Sequence, residues 1–260
     1  PTTYFVGAHK GFLKTTPPSI QPLALRTGNP DDYKFTQKEE IKGKIKHGVG
    51  GYIMSDSYGK FKTIGLNLSY AAHLALSDNL NLGLGSKLGF NNLQFEGGDL
   101  LIQENDPTYA RFSAENNSKT MVDMNLGAYL YNNNFYVGYS TNQLVGDKIS
   151  FGTSNVNILD LHHYIITGYK YEINEKLSVS PNVYLKAVSG APLSYDINTM
   201  VNYDNFFGGV TYRVEDAIAI MAGAKFKEKL SISYAYDITT SNLSGYSNGG
   251  HEILLGFIID

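Results

Sequence analysis

The chain has 260 residues, a formal net charge of −3, 17% charged and 13% aromatic residues, and no cysteine. This length is enough for one large β domain or two small ones. The charge leaves no basic stripe to neutralise phosphates, which argues against nucleic-acid binding, and no apolar run reaches about eighteen residues, which excludes a helical membrane protein.

Apolar residues recur at every second position through most of the chain, with small or polar residues between them. Between 193 and 203, for example, Leu193, Tyr195 and Ile197 alternate with Ser194 and Asp196. Such a strand has one face suited to hydrocarbon and one suited to water. Several of these runs approach the roughly ten residues that a tilted membrane strand needs. Because only a closed sheet leaves no unpaired backbone edge in lipid, the pattern predicts a transmembrane β-barrel.

Turn residues divide the sequence into about fourteen strands, an even number, as in bacterial outer-membrane barrels. The predicted strands lie at residues 3–10, 18–26, 45–56, 61–76, 80–93, 121–131, 135–142, 158–172, 177–188, 192–203, 205–213, 217–226, 230–239 and 249–259. The second strand has the weakest pattern, because Pro17, Pro18 and Pro22 remove backbone donors there.

Connection lengths predict an orientation, since outer-membrane barrels have short periplasmic turns and longer external loops. Short links follow even-numbered predicted strands, at 77–79, 132–134, 174–176 and 227–228, whereas long links follow odd-numbered strands, at 94–120, 143–157 and 240–248. Both termini are therefore predicted to be periplasmic. The long, charged segment 27–44 falls on the periplasmic side by this parity. Either it is a periplasmic contact element, or the strand count near the prolines is off by one.

Eight polar residues fall on the inward side of the predicted strands and mix both signs of charge. They are Asp123, Asn125, Lys186, Asp196, Asn198, Arg213, Asp237 and Glu252. Such a set could line a water channel, form a side-chain network in a filled lumen, or cradle an inserted polypeptide. Arg213 is expected to pair with an inward carboxylate such as Asp196 or Asp237.

The pair His162 and His163, beside Asp160, is the cluster most suggestive of catalysis or metal binding. Neighbouring residues on a strand point to opposite faces, so the two histidines cannot share a site. We therefore predict His162 and Asp160 inward and His163 outward, as an interfacial polar pair.

Two further patterns suggest ligands only superficially. The glycines Gly83, Gly85 and Gly89 are predicted inward on one strand, without the helix that a phosphate-binding loop requires; at such positions glycine relieves crowding. The acidic residues between Glu96 and Asp106 lack the spacing of a calcium loop. The sequence thus predicts no enzyme, and no catalytic, cofactor-binding or metal-binding residue.

A series of short segments resembles one protein family. In chain order they are Gly48-Val49-Gly50, Asp56 and Gly59, Leu68-Ser69-Tyr70-Ala71, Phe135-Tyr136-Val137-Gly138-Tyr139-Ser140, Gly208-Gly209-Val210-Thr211-Tyr212-Arg213, Tyr234-Ala235-Tyr236-Asp237 and Gly250-His251-Glu252. Together they resemble the PorP/SprF family of type IX secretion system membrane proteins of Bacteroidetes. The resemblance covers most of the chain.

The resemblance implies a non-enzymatic outer-membrane barrel that works with the secretion machinery. SprF-like members are paired with large secreted gliding adhesins that carry a C-terminal targeting domain, and they help to place these adhesins at the cell surface. PorP-like members are associated with periplasmic ring and peptidoglycan-binding components. On this basis the lumen network and the polypeptide cradle are favoured over a general diffusion pore, and the eight inward residues become candidate partner contacts.

The sequence therefore predicts one all-β domain over residues 1–260, an antiparallel transmembrane β-barrel in a bacterial outer membrane. Its expected partners are the C-terminal domain of a secreted protein, other secretion components and membrane lipids, but not nucleic acid. The alternative function is a passive channel or a transporter of hydrophobic substrates, and a third is an outer-membrane hydrolase. No signal peptide is visible at the start of the sequence, so we expect the chain to be a processed or trimmed mature form.

Overall fold

The computed structural model describes residues 2–11, 45–96, 118–145, 148–151, 154–157, 160–226, 230–242 and 244–258, and these residues form strands joined by turns and by one short 3-10 helix (Ser244–Tyr246). The strands are β1 (Thr2–Gly11), β2 (Ile45–Tyr58), β3 (Phe61–Ser77), β4 (Leu80–Phe95), β5 (Ser118–Tyr131), β6 (Phe135–Asn142), β7 (Lys148–Phe151), β8 (Ser154–Asn157), β9 (His162–Tyr169), β10 (Tyr171–Glu172), β11 (Leu177–Val188), β12 (Ser194–Tyr203), β13 (Phe206–Arg213), β14 (Ala217–Phe226), β15 (Leu230–Thr239) and β16 (Gly250–Phe257). Within these ranges no helix is long and apolar enough to cross a membrane.

Fourteen of these strands form one antiparallel sheet, in the order β1-β2-β3-β4-β5-β6-β9-β11-β12-β13-β14-β15-β16, with β10 paired to β11. Strand β9 borders β11 from His162 to Gly168, and β10 continues along the same edge from Tyr171, so the two share one row. Strands β7 and β8 form a separate hairpin. The prediction of about fourteen antiparallel strands is confirmed.

The sheet has an apolar exposed face and a polar buried face. Along β12, Tyr195, Ile197 and Val201 are exposed, whereas Asp196 and Asn198 are only 2% and 1% exposed. The two faces of the sheet therefore differ in the way that the alternating sequence predicts. A small apolar cluster lies among the buried side chains; its members are Met200, Phe207, Ala219, Met221 and Ala235.

The two ends of the strands define two rims. The short-turn rim contains the turns 78–79, 132–134, 173–176 and 204–205, together with the flanks of the 227–229 connection. The long-loop rim contains the ends of the connections 96–117, 143–161 and 240–249, together with three shorter turns. This asymmetry agrees with the predicted division into short and long connections.

The predicted placement of both termini on one side is wrong for the described strands. Strand β1 pairs directly with β2 over its full length, from Thr2 opposite Ser57 to Gly11 opposite Gly48. The predicted strand at 18–26 lies outside the described residues, and no strand separates β1 from β2. Because the described path from β1 to β16 has thirteen antiparallel rows, Thr2 lies at the long-loop rim whereas Phe257 lies at the short-turn rim.

Candidate functional site

All eight predicted site residues lie on the inner, polar face, and five of them come together. Asp123, Asn125, Asp196 and Asn198 are buried, whereas Lys186, Arg213, Asp237 and Glu252 are partly buried. The group of five lies on β11, β12, β13 and β15, and consists of Lys186, Asp196, Asn198, Arg213 and Asp237. We call it the lumen cluster.

Two ion pairs organise the lumen cluster. The Lys186 ammonium donates hydrogen bonds to both carboxylate oxygens of Asp196, at 2.8 and 3.1 Å. The Arg213 guanidinium donates to Asp237 Oδ2 at 2.9 Å. The predicted pairing of Arg213 with an inward carboxylate is therefore confirmed, with Asp237 as the ion-pair partner, although Asp196 is the residue opposite Arg213 in the β12–β13 register.

Small side chains on the intervening strand make the second ion pair possible. Strand β14 separates Arg213 from Asp237 and presents Ala217 and Ala219 between them. Both alanines are buried and neither reaches beyond its Cβ. The long arginine side chain can therefore cross β14 to the carboxylate on β15. The outcome is an alternation of positive and negative groups across the inner face.

Next to the ion pairs lies a row of neutral hydrogen-bonding groups. The Asn198 side-chain amide donates to Asn182 Oδ1 at 2.8 Å. Beyond this bond, Asn198 Oδ1, Thr211 Oγ1, Ser180 Oγ and Ser233 Oγ are buried without a hydrogen-bond partner among the described residues. Buried polar atoms in native proteins are normally paired. This part of the inner face is therefore suited to contact water or the polar backbone of another chain.

Asp123 and Asn125 form a second polar region on β5, separated from the lumen cluster by β6 and β9. Asp123 lies opposite Gly89, which in turn lies opposite Asn67. A Cβ at Gly89 would lie 2.6 Å from Asn67 Oδ1, so the glycine makes room for a buried amide, as predicted for inward glycines. The backbone N–H of Gln143 donates to Asn125 Oδ1 at 3.3 Å. Glu252, on β16, lies one strand beyond Asp237.

An inward cluster of aromatic side chains near the short-turn rim was not predicted from the sequence. Tyr131 and Tyr136 are almost fully buried, and Tyr129 stacks on Tyr136 with ring centroids 5.5 Å apart. Tyr131 hydroxyl and His73 Nδ1 are hydrogen-bonded at 3.0 Å. We call His73, Tyr129, Tyr131 and Tyr136 the aromatic cluster. These three tyrosines have the inward parity of their strands.

Glycines on the neighbouring strands give the aromatic cluster its space. A Cβ at Gly138 would lie 2.7 Å from Tyr129 Cδ2, and a Cβ at Gly168 would lie 2.5 Å from the hydroxyl oxygen of Tyr136. Inward tyrosine next to inward glycine is thus the sequence signal that could have located this cluster.

The histidine pair has the predicted orientation but different partners. His162 lies on the inner face, where its Nδ1 is 2.7 Å from the backbone carbonyl oxygen of Asp160 rather than from the carboxylate. His163 lies on the outer face, 2.8 Å from the Tyr139 hydroxyl. The described residues contain no cluster of three or more potential metal ligands. Most of the acidic stretch from Glu96 to Asp106 lies outside them.

Comparison with known proteins supports the resemblance seen in the sequence. Among solved structures, the chain is similar to a TodX deltaS2S3 mutant monoaromatic hydrocarbon channel, with a TM-score of 0.47, 12% sequence identity, and coverage of 74% of this chain and 73% of that chain. No curated protein matches the chain. The model of the type IX secretion system membrane protein PorP/SprF family matches residues 21–257. Since this match extends over most of the sequence, the chain belongs to the PorP/SprF family of type IX secretion system membrane proteins.

Proposed function

We propose that this protein is a closed outer-membrane barrel that binds the C-terminal domain of a secreted surface protein and anchors or shuttles it at the cell surface. The family supports a role in type IX secretion, and it is a family of membrane proteins rather than of enzymes. Binding of the secreted domain is the specific step that the proposal adds.

The observation that carries the proposal is a buried polar face with unused hydrogen-bonding capacity. Asn198, Thr211 and Ser233 present polar atoms that the described protein does not satisfy. The charged groups beside them are paired in the two ion pairs, so this part of the inner face offers mainly neutral donors and acceptors. A polypeptide backbone, with one donor and one acceptor on each non-proline residue, matches that chemistry.

The proposed orientation places the long-loop rim outside the cell and the short-turn rim in the periplasm, following the usual asymmetry of such barrels. Gly11 and Ile45, which flank residues 12–44, both lie at the short-turn rim. The charged segment 27–44 is therefore proposed as a periplasmic contact element for secretion components such as the periplasmic ring or peptidoglycan-binding proteins.

Copurification from native membranes, followed by mass spectrometry, tests the proposal. We expect recovery of a secreted protein with its C-terminal domain attached, together with other secretion components. Recovery of the barrel without either would refute it. Conductance in planar bilayers tests the alternative, because a steady open pore formed by the purified protein would favour a passive channel.

A further inference from the structure

Three histidines of the described strands point outward, and each is hydrogen-bonded to an exposed tyrosine on the neighbouring strand. The distances between imidazole Nδ1 and the tyrosine hydroxyl oxygen are 2.7 Å for His47 and Tyr70, 2.8 Å for His163 and Tyr139, and 2.6 Å for His251 and Tyr234. We call these the Tyr–His pairs. The remaining histidines, at positions 9, 73 and 162, have the inward parity of their strands. Every outward histidine is therefore paired in the same way.

The strand register gives the three Tyr–His pairs one shared geometry. The residues directly opposite the three histidines are Ala72, Thr141 and Tyr236. In each case the paired tyrosine lies two residues before that opposite residue, so the two rings meet on a diagonal of the sheet. Diagonal neighbours on one face of an antiparallel pair are within reach of aromatic side chains. The ring centroids are 5.9 Å apart in the pair of His47 and 6.1 Å apart in the other two pairs.

The histidines of these pairs lie toward the ends of their strands. His163 and His251 are each the second residue of a strand that begins at the long-loop rim, and His47 is the third residue of β2, which begins at the short-turn rim. Farther along the same strands the outward residues are apolar and exposed, such as Ile165 and Ile253. In membrane barrels an apolar band of this kind faces hydrocarbon, and the aromatic residues at its borders lie at the level of the lipid headgroups.

Each Tyr–His pair retains a hydrogen-bond donor, whichever tautomer the imidazole adopts. If the tyrosine O–H donates to Nδ1, the imidazole hydrogen is on Nε2, and if Nδ1–H donates to the hydroxyl oxygen, the tyrosine O–H remains. Within the part of the chain that the structure describes, His163 and His251 form no second hydrogen bond. Hydrocarbon offers no acceptor for this donor, so it would be left unsatisfied there. The pairs therefore need an acceptor in the headgroup region.

The outer face carries no negative charge that would repel an anionic acceptor. The outward positions of the described strands contain no aspartate or glutamate, whereas Lys10, opposite Val49, lies close to His47 along the sheet. The charged oxygen atoms of a lipid phosphate accept stronger hydrogen bonds than neutral acceptors do. An imidazole can also take up a proton and become a cation beside the phosphate. Phosphate is thus the headgroup component that best matches these pairs.

We propose that the Tyr–His pairs bind the phosphate groups of membrane lipids. Each pair donates its remaining N–H or O–H to a phosphate oxygen, while the apolar side chains beside it contact the acyl chains. The inference goes beyond the proposed function, because it concerns the outer face of the sheet and does not depend on which protein the inner face binds.

Tryptophan fluorescence of the full chain in lipid vesicles tests this inference, since the native chain has no tryptophan. The reporter Ile165→Trp lies two residues after His163 and opposite Tyr139. The matched control is Ile220→Trp, which is likewise the fourth residue of a strand that begins at the long-loop rim. In the control, Ile218 and Val210 take the places of the histidine and the tyrosine.

The vesicles contain equal amounts of phosphatidylglycerol and digalactosyldiacylglycerol, a lipid without phosphate. In each sample one of the two lipids is brominated on its acyl chains, so quenching reports which lipid lies next to the reporter. We expect the preference for the phosphate lipid to be about two- to tenfold greater at Ile165→Trp than at Ile220→Trp, as for one net hydrogen bond. Replacing the pair by His163→Phe with Tyr139→Phe keeps both rings and should reduce the preference to that of the control.

The pair of His251 and Tyr234 supplies an independent second site. Its reporter is Ile253→Trp, opposite Tyr234, and its loss variant is His251→Phe with Tyr234→Phe. Gel mobility with and without heating identifies folded variants, so if one loss variant fails to fold, the other decides. Three results would overturn the inference: equal preferences at the pair reporters and the control, a preference that survives removal of the pair, or pair reporters that brominated lipid does not quench.

Discussion

Replacing Gly168 with alanine tests whether the aromatic cluster is as tightly packed as the structure indicates. The added Cβ would lie 2.5 Å from Tyr136 Cζ and 2.8 Å from Asn182 Cβ. Carbon atoms normally pack at about 3.5–4.0 Å, so the tyrosine ring must move by about an ångström. Tyr136 is 1% exposed, so its ring has little free space to enter. We expect Gly168→Ala to lower the free energy of unfolding by about 1–3 kcal/mol, the usual cost of overpacking.

The assay is urea unfolding of the protein refolded in lipid vesicles, followed by far-ultraviolet circular dichroism and by gel mobility with and without heating. The matched control is Gly85→Ala, because a Cβ there would meet its nearest neighbour, the Tyr70 carbonyl oxygen, at 3.7 Å. We expect the control to change stability by about 0.5 kcal/mol or less. In a Tyr136→Leu background the Gly168→Ala penalty should shrink, and the part that remains reflects the approach to Asn182 Cβ. An unchanged penalty in that background, or equal losses in both alanine variants, would refute the packing argument.

Three further predictions concern the ion pairs and the lipid-facing surface. Asp196→Ala should lower the free energy of unfolding by about 3 kcal/mol, because it leaves the Lys186 ammonium on the inner face without its carboxylate. The double variant Lys186→Met with Asp196→Leu should lose less stability in urea unfolding than the sum of the losses of the single variants Lys186→Met and Asp196→Leu. Additive losses would contradict a coupled pair. Arg213→Lys should cost about 1 kcal/mol in the same assay, because an ammonium lacks the planar guanidinium fork, and unchanged stability would contradict a structural role for the Asp237 pair. Ile197→Lys should cost about 2–4 kcal/mol and Tyr203→Lys, at the strand end, about 0–1 kcal/mol; equal costs would argue that Ile197 does not face the hydrocarbon core.

The positions of most strands could be predicted because apolar and polar residues alternate along each strand with a period of two residues. The predicted bounds 135–142, 177–188, 217–226 and 230–239 agree with β6, β11, β14 and β15. The same period placed all eight candidate residues on the inner face. Parity assigns a face to each residue without any knowledge of which strands are neighbours.

Pairing partners and exceptions could not be predicted in the same way. The sequence offered two carboxylates, Asp196 and Asp237, as ion-pair partners of Arg213. Which of them pairs with it depends on the small alanines of β14 and on Lys186, which already forms an ion pair with Asp196. The orientation of β1 depended on whether a strand follows it, and prolines at 17, 18 and 22 left that count uncertain by one. The hairpin β7–β8 was missed because its four-residue strands are too short to show a period.

The alternation of charge across the inner face has a consequence for ions that approach this face. Each positive group of the lumen cluster lies beside a negative one, and the two ion pairs span strands β11 to β15. The electric potentials of such neighbours largely cancel within a few ångströms. This stretch of the wall therefore offers an approaching cation or anion little net attraction, and any discrimination by the sign of charge must come from other parts of the molecule.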